Sequence, residues 1–291
     1  MKEGIIVKGY GGFFFVLSEG RIWRCRGSGR LRYEEQRLLA GDRVQFEPSG
    51  AEEGVIKKVL PRRNMLVRPP VANVDQAIIV FSLAQPEPDL ILLDRLLVLC
   101  GYEGVEAVIC FNKIDLVSPE TASEFAGLYQ KVGYPTILTS ATRGEGIENL
   151  KGLLKDKISV FAGPSGVGKS SLLNSLEPGL SLKTGEVSRK LRRGRHTTRH
   201  VELLSVGGGL VADTPGFSNL ELPPMKTTEL GLYFPEIREL ATGCRFPDCL
   251  HLREPDCMVK KALADGSLIA SRYQNYLRLL SEIMQKERNY K

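Results

Sequence analysis

Ile158-Ser159-Val160-Phe161-Ala162-Gly163-Pro164-Ser165-Gly166-Val167-Gly168-Lys169-Ser170 decides the fold. A short apolar strand runs into the pattern GxxxxGK[ST], and a helical stretch from Lys169 to Leu176 follows. Glycines let backbone N–H groups turn inward around phosphate oxygens; Lys169 reaches the β and γ phosphates, and Ser170 offers its hydroxyl to Mg2+. Gly163, Pro164, Ser165, Gly166, Val167, Gly168, Lys169 and Ser170, with Ser171 behind them, are therefore the candidate phosphate cradle. A chance glycine-rich turn is the competing reading, and the flanking strand and helix argue against it.

Outward from this loop, three more motifs close predicted strands. Asn112-Lys113-Ile114-Asp115 follows the apolar run Val105 to Phe111, at the carboxyl end where an open parallel sheet places its ligands. Asp115 can accept hydrogen bonds from the ring N–H and exocyclic amine of guanine, and adenine offers neither donor there. Asn112 would orient the pocket and the Lys113 stem would cover the base. Thr139-Ser140-Ala141 ends the next strand and is similar to the loop whose backbone N–H meets the guanine oxygen; Ser140 and Ala141 join the candidate set, against the reading of an ordinary polar turn. Asp213-Thr214-Pro215-Gly216 follows Leu210 to Ala212 as a DxxG, with Asp213 holding Mg2+ through water and the Gly216 N–H meeting the γ-phosphate. In Ras-like GTPases the phosphate loop and DxxG precede the base-reading motifs, so the order here is circularly permuted. Permutation puts the γ-phosphate sensor at the domain's carboxyl end, and a switch coupled to the Cys-containing segment beyond it is expected.

Before Gln76 the texture is different. Short β-rich runs, Ile5 to Val7, Phe13 to Leu17, Arg21 to Cys25, Arg43 to Glu47 and Gly54 to Val59, suggest a small barrel of the OB type, with an SH3-like barrel as the alternative. Residues 1–68 hold 14 Lys and Arg against 8 Asp and Glu, while the rest hold 26 of each, so the whole +6 excess lies in this segment. Concentrated positive charge fits a nucleic-acid partner, with a solvated basic face as the plainer reading. Arg24, Arg26, Arg30 and Arg32 are the candidate contacts; Trp23 and Tyr33 are possible stacking rings, Trp23 being more readily a core residue.

Between the phosphate loop and DxxG lies the basic stretch Ser188 to His200, in the place of a first switch loop. Thr198 is the candidate for Mg2+ and the γ-phosphate. Phe217 follows Gly216 where Ras-like enzymes carry the glutamine that orients attacking water, so slow intrinsic turnover is expected. His196 is the candidate substitute, since imidazole donates or accepts near neutral pH; a plain surface histidine is the alternative.

Cys244-x4-Cys249-x-His251-x5-Cys257 supplies the ligand count of a closed structural zinc site, against the reading of unrelated cytosolic cysteines. Cys25, Cys100 and Cys110 are isolated and read as buried thiols. Helical sequence from about Ser267 to Tyr290 completes a small third unit. The expected architecture is multidomain: an OB-fold barrel over 1–68, an α/β circularly permuted P-loop GTPase domain over 69–221, and a small zinc-binding domain with helices over 222–291. No apolar run approaches the roughly 18 residues of a membrane span, and a cytoplasmic protein is expected.

The permuted motifs, the Gly194-Arg195-His196-Thr197-Thr198 switch, Phe217 after DxxG, the basic barrel and the trailing Cys-Cys-His-Cys segment together resemble the ribosome-small-subunit-dependent GTPase A (RsgA) family, over essentially the whole chain. That resemblance implies GTP hydrolysis to GDP stimulated by the small ribosomal subunit, late in its maturation, with rRNA contact, His196 in hydrolysis and zinc on Cys244, Cys249, His251 and Cys257. A monomer cycling between GTP and GDP states on the subunit is expected. The residues themselves leave two other readings open: a GTP-controlled RNA-binding switch with another partner, and a GTPase serving a protein or membrane.

Overall fold

The structure is a computed structural model that describes residues 1–29, 37–67, 69–180, 201–212 and 221–289. Five strands, β1 (Lys2–Tyr10), β2 (Phe13–Ser18), β3 (Arg21–Gly27), β4 (Arg43–Pro48) and β5 (Glu53–Val59), close a barrel in the order β1-β2-β3-β5-β4. All its strand pairs are antiparallel except β3–β5, and this crossed-over closure is of the OB type rather than an SH3-like meander. Alternation drives it: along β3, Trp23 and Cys25 point inward while Arg24 and Arg26 stay exposed. Trp23 packs on Phe46 with ring centroids 5.4 Å apart, in a core with Ile6, Val16, Val44 and Ile56, so it is a core residue and no stacking platform. Arg24 and Arg26 lie over the Phe13 ring at 5.0 and 4.6 Å, and Arg24 also pairs with Glu53. Arg30, Arg32 and Tyr33 lie outside the described residues.

A small hairpin, β6 (Met65–Val67) with β7 (Pro70–Ala72), leads into the central sheet. There β8 (Gln76–Ser82), α1 (Leu90–Tyr102), β9 (Glu106–Asn112), α2 (Pro119–Gln130), β10 (Thr136–Thr139), α3 (Ile147–Leu154), β11 (Ile158–Ala162) and α4 (Lys169–Leu176) alternate, and β12 (Leu203–Val206) and β13 (Gly209–Ala212) follow. The six strands lie in the order β10-β9-β8-β11-β13-β12. Every residue of β8 and β11 is buried, as continuous apolar strands covered on both faces require. Leu93, Leu96, Leu97, Phe111 and Tyr129 fill one side, and Leu150, Leu154, Val167, Leu172 and Leu176 the other. Caps fix the helix starts: Asp89 accepts the Ile91 and Leu92 N–H groups, and Ser118 accepts that of Thr121 before Pro119.

One departure from an all-parallel sheet is β12, which pairs antiparallel with β13. Gly207 and Gly208 both have positive φ, +60° and +79°, the geometry of a two-residue hairpin turn, so the chain folds back at once instead of crossing over. This edge strand meets the barrel. Val7 packs in the same core as Val201 and Leu203, and Lys8 Nζ pairs with Glu202 Oε2 at 2.6 Å.

After a 3-10 turn at Thr227–Tyr233 come α5 (Pro235–Ala241), α6 (Met258–Ala264) and the long α7 (Ala270–Asn289). Their core, with Leu230, Phe234, Ile237, Tyr276 and Leu279, takes in Val98 of α1. Beside it a charge cluster centred on the buried Arg272 and Asp94 joins α7 to the central domain. Arg272 donates to Asp94, and at 2.7 and 3.1 Å to both Glu236 oxygens, while Asn275 and Tyr129 donate to Asp94 at 2.7 and 3.0 Å. Among the described residues no helix is long and apolar enough to cross a membrane. Arg272→Ala leaves Asp94 buried without its cation, and chemical denaturation should show a loss of about 3–5 kcal/mol; a loss below about 1 kcal/mol would show the cluster carries no stability.

Candidate functional site

From β8 the chain runs outward to β9 and β10 on one side, while β11, with β13 and β12 beyond it, lies on the other, so the strand order reverses between β8 and β11. Ligands of open α/β sheets bind outside the strand ends at such a point. The candidate phosphate loop follows β11 there, and Asn112 to Asp115 follows β9. Close approach explains the loop's glycines. A Cβ on Gly163 (φ +134°) would fall 2.1 Å from the Val80 carbonyl oxygen, and one on Gly168 (φ +98°) 2.3 Å from Asn112 Nδ2.

Asn112 is buried and joins three loops. Its Nδ2 donates to the Val167 carbonyl at 2.9 Å, and its Oδ1 accepts from Thr139 Oγ1 at 3.2 Å and from the Ala141 N–H at 3.3 Å. Lys113, in the left-handed region at φ +64°, donates from Nζ to the Gly166 carbonyl at 2.7 Å and to that of Gln85. Asp115 accepts from Ser140 Oγ at 2.5 Å and from Thr142 Oγ1 at 3.3 Å, and the Ser140 hydroxyl holds its carboxyl below the usual carboxylate range. An ionised, acceptor-only carboxylate is the form that can take two N–H donors from a base. Ser175 of α4 donates to the Ala141 carbonyl at 3.2 Å, tying that loop to the helix behind the phosphate loop.

Lys169 Nζ donates to the Gly163 and Pro164 carbonyls at 2.8 and 2.6 Å, and burial brings its ammonium down to about 8. Ser170 is buried at the start of α4, with Ser171 beside it. The structure thus brings together Asn112, Lys113, Asp115, Ser140, Ala141 and Gly163 to Ser171. Four further candidates, His196, Thr198, Asp213 and Gly216, lie outside the described residues. The hairpin β12–β13 runs between the two stretches that hold them, with Leu203 opposite Ala212.

Spacing alone did not single out the turn after β8. Ser82 Oγ donates to the Pro86 carbonyl at 2.7 Å, and the Gln85 carbonyl receives Lys113. Pro86 and Pro88 between a strand and a helix are the available signal, since paired prolines there mark a shaped turn.

At the far end of the chain, Cys244, Cys249, His251 and Cys257 place their donor atoms within 4.8 Å of one another. Cys244 Sγ is 3.7 Å from His251 Nδ1 and 3.9 Å from Cys257 Sγ, and His251 Nδ1 is 3.4 Å from Cys257 Sγ. A tetrahedral ion with bonds of about 2.3 Å to sulfur needs edges of about 3.8 Å, so the donor set fits a closed metal site through Nδ1. Burial lowers the His251 pKa and favours the neutral, ligating imidazole. Three backbone N–H groups, of Leu250, Leu252 and Arg253, converge on Glu254, and Tyr273 and Tyr276 of α7 donate to the His251 and Leu250 carbonyls at 2.6 and 3.1 Å. By contrast Cys25, Cys100 and Cys110 are buried thiols, pushed up by burial, Cys25 to about 11 and Cys110 to about 12.

A phosphate loop and a guanine-type motif converging at one switch point, in inverted chain order, define a circularly permuted P-loop GTPase. The sequence matches the RsgA N-terminal domain over residues 3–56 and the RsgA GTPase over residues 59–223. It is 53% identical to the small ribosomal subunit biogenesis GTPase RsgA of Moorella thermoacetica, over 99% of each chain, and 48% identical to that of a Geobacillus species over the whole of both. Among solved structures it is similar to YloQ, a circularly permuted GTPase, with TM-score 0.86 and 41% identity over 98% of this chain and 96% of that one. YjeQ from Thermotoga maritima aligns with TM-score 0.85 and 40% identity, over 97% and 98%. The chain belongs to the RsgA GTPase family.

Polyphosphate bound beside Lys169 would favour the charged ammonium, so binding would take up a proton wherever the free side chain has lost one. Nucleotide affinity should therefore be flat below about pH 8 and fall above it, toward tenfold per pH unit, with Lys169→Arg flattening the profile. Titration of labelled GDP on either side of pH 8 checks this, and a flat wild-type profile would contradict it.

Proposed function

We propose that this GTPase acts in the maturation of the small ribosomal subunit, binding it in the GTP state and hydrolysing GTP to GDP and phosphate under its stimulation. The observation that carries the nucleotide reading is the Asn112 amide joined to the phosphate loop at Val167, which sets base-reading and phosphate-holding groups at one spacing. The near-full-length match to relatives named for small-subunit biogenesis supports the biological setting.

In this reading Asp115 accepts the two guanine donors, Asn112 and the Ser140–Ala141 loop shape the pocket, and the Lys113 stem covers the base. Backbone N–H groups of Gly163 to Ser171 and the Lys169 ammonium hold the phosphates. Ser170, Thr198 and Asp213 would hold Mg2+, which when bound offsets charge on the β and γ oxygens. His196 orients a water molecule in line with the γ-phosphorus; the water oxygen bonds to phosphorus as its proton passes to a γ-phosphate oxygen, the bond from phosphorus to the β–γ bridging oxygen breaks, and GDP and inorganic phosphate leave. Gly216 donates its N–H to the γ-phosphate. Phe217 offers no polar group to that water, which leaves the switch loop, ordered by a partner, to complete the site.

Cys244, Cys249, His251 and Cys257 would hold one zinc ion as a structural staple, with no open position for catalysis. The basic barrel supplies a surface for rRNA, with Arg24 and Arg26 stacked on Phe13 at its exposed side. The protein acts as a monomer in the cytoplasm.

Steady-state GTP turnover, alone and with saturating small or large subunits, tests this. Stimulation specific to small subunits, toward about 10³-fold, is expected. His196→Ala should lower stimulated turnover by about 10²-fold while sparing GTP affinity. No stimulation by small subunits would remove the ribosome from the account, and unchanged turnover would remove His196.

A further inference from the structure

β8 ends at the switch point, between β9 on one side and β11 on the other. Its last residue, Ser82, is buried opposite Asn112 in the β8–β9 register, and the next N–H, that of Leu83, donates to the Asn112 carbonyl at 3.1 Å. From there the chain reverses. Gln85 takes φ +53°, a region that glutamine adopts only when its surroundings impose it. Across this reversal the Ser82 hydroxyl holds the Pro86 carbonyl at 2.7 Å. The reversal aims the Gln85 carbonyl at Lys113 Nζ, whose other acceptor is Gly166 of the phosphate loop. The Pro86 ring stands 3.7 Å from where a Cβ on Gly166 would be.

We propose that Ser82 is a positioning residue for nucleotide retention: its hydroxyl fixes the turn 83–88, and the turn's Gln85 carbonyl with Gly166 clamps the Lys113 ammonium. This rests on the reading of Lys113 and the phosphate loop as two walls of the guanine-nucleotide pocket. Lys113 has a long, flexible stem, and an ammonium held by two carbonyls loses that freedom before the ligand arrives, so less is lost on binding. Removing the hydroxyl leaves the Pro86 carbonyl without its partner and releases the backbone at Gln85. The second acceptor then leaves Lys113. The Lys113 clamp lies on the base side of the pocket and not at the γ-phosphate, so GDP and GTP are affected alike.

Stopped-flow dissociation of a fluorescent GDP and of a fluorescent non-hydrolysable GTP analogue from the full-length protein reads this directly. Ser82→Ala should release both about 3- to 10-fold faster, the effect of one lost hydrogen bond, and Ser82→Thr should restore retention. Lys113→Ala should also speed release, and Ser82→Ala should add nothing to it, because both act through one contact. Wild-type release from Ser82→Ala, even with a lowered melting temperature, would overturn the proposal, as would multiplicative effects in the double variant. Failure of the wild type to bind guanine nucleotide would overturn the pocket reading itself and this proposal with it.

Discussion

The buried side-chain amide of Asn112 is the constraint on which the proposed nucleotide site depends. It lies at the end of β9, yet it reaches the phosphate loop after β11 and the polar loop after β10, using its donor and acceptor ends at once. A buried amide must be satisfied, and these partners exist only when all three loops are in register. Base-side and phosphate-side groups thereby acquire a fixed spacing without any ligand. This also explains why the site survives permutation. Every contact is between strand ends, and the order of strands in the sheet does not depend on which connection the chain makes first.

Both appended regions are fixed to elements one step from that site. The barrel grips β12 through Val7 and the Lys8–Glu202 pair, and β12 leads through β13 toward the DxxG. The carboxyl-terminal helices grip α1 through Arg272, Asp94 and Val98, and α1 begins directly after the turn that receives Lys113. The two attachments differ in kind. Lys8 and Glu202 are partly exposed and joined by one ion pair, a contact of modest strength, whereas the Arg272–Asp94 pair is buried.

Much of this was legible in the sequence because the chemistry is local. A glycine-rich loop, an Asn-Lys-x-Asp and a Cys-His cluster each keep residue type and spacing within a short window, and the structure brings the described members of each together. What stayed hidden works differently. The turn 83–88 acts through backbone carbonyls, which any residue carries, so Gln85 leaves no signature. Arg272 and Asp94 are 178 residues apart, and charged residues on helices read as solvated until packing buries them. The antiparallel β12 was not anticipated, because its apolar residues read as one more parallel strand and the Gly207-Gly208 turn gains its meaning only from the observed pairing. Thr198, Asp213 and Gly216, named from motif position, and His196, named from its place in the switch, imidazole chemistry and the family resemblance, lie outside the described residues.

The most direct test of the central claim is the affinity of Asn112→Ala for GDP, measured by calorimetry beside its melting curve. Three lost hydrogen bonds at about 1 kcal/mol each should weaken GDP by on the order of a hundredfold, while the protein still unfolds cooperatively. GDP affinity equal to that of the wild type would contradict the account, since the loops would then hold their spacing without the amide that joins them.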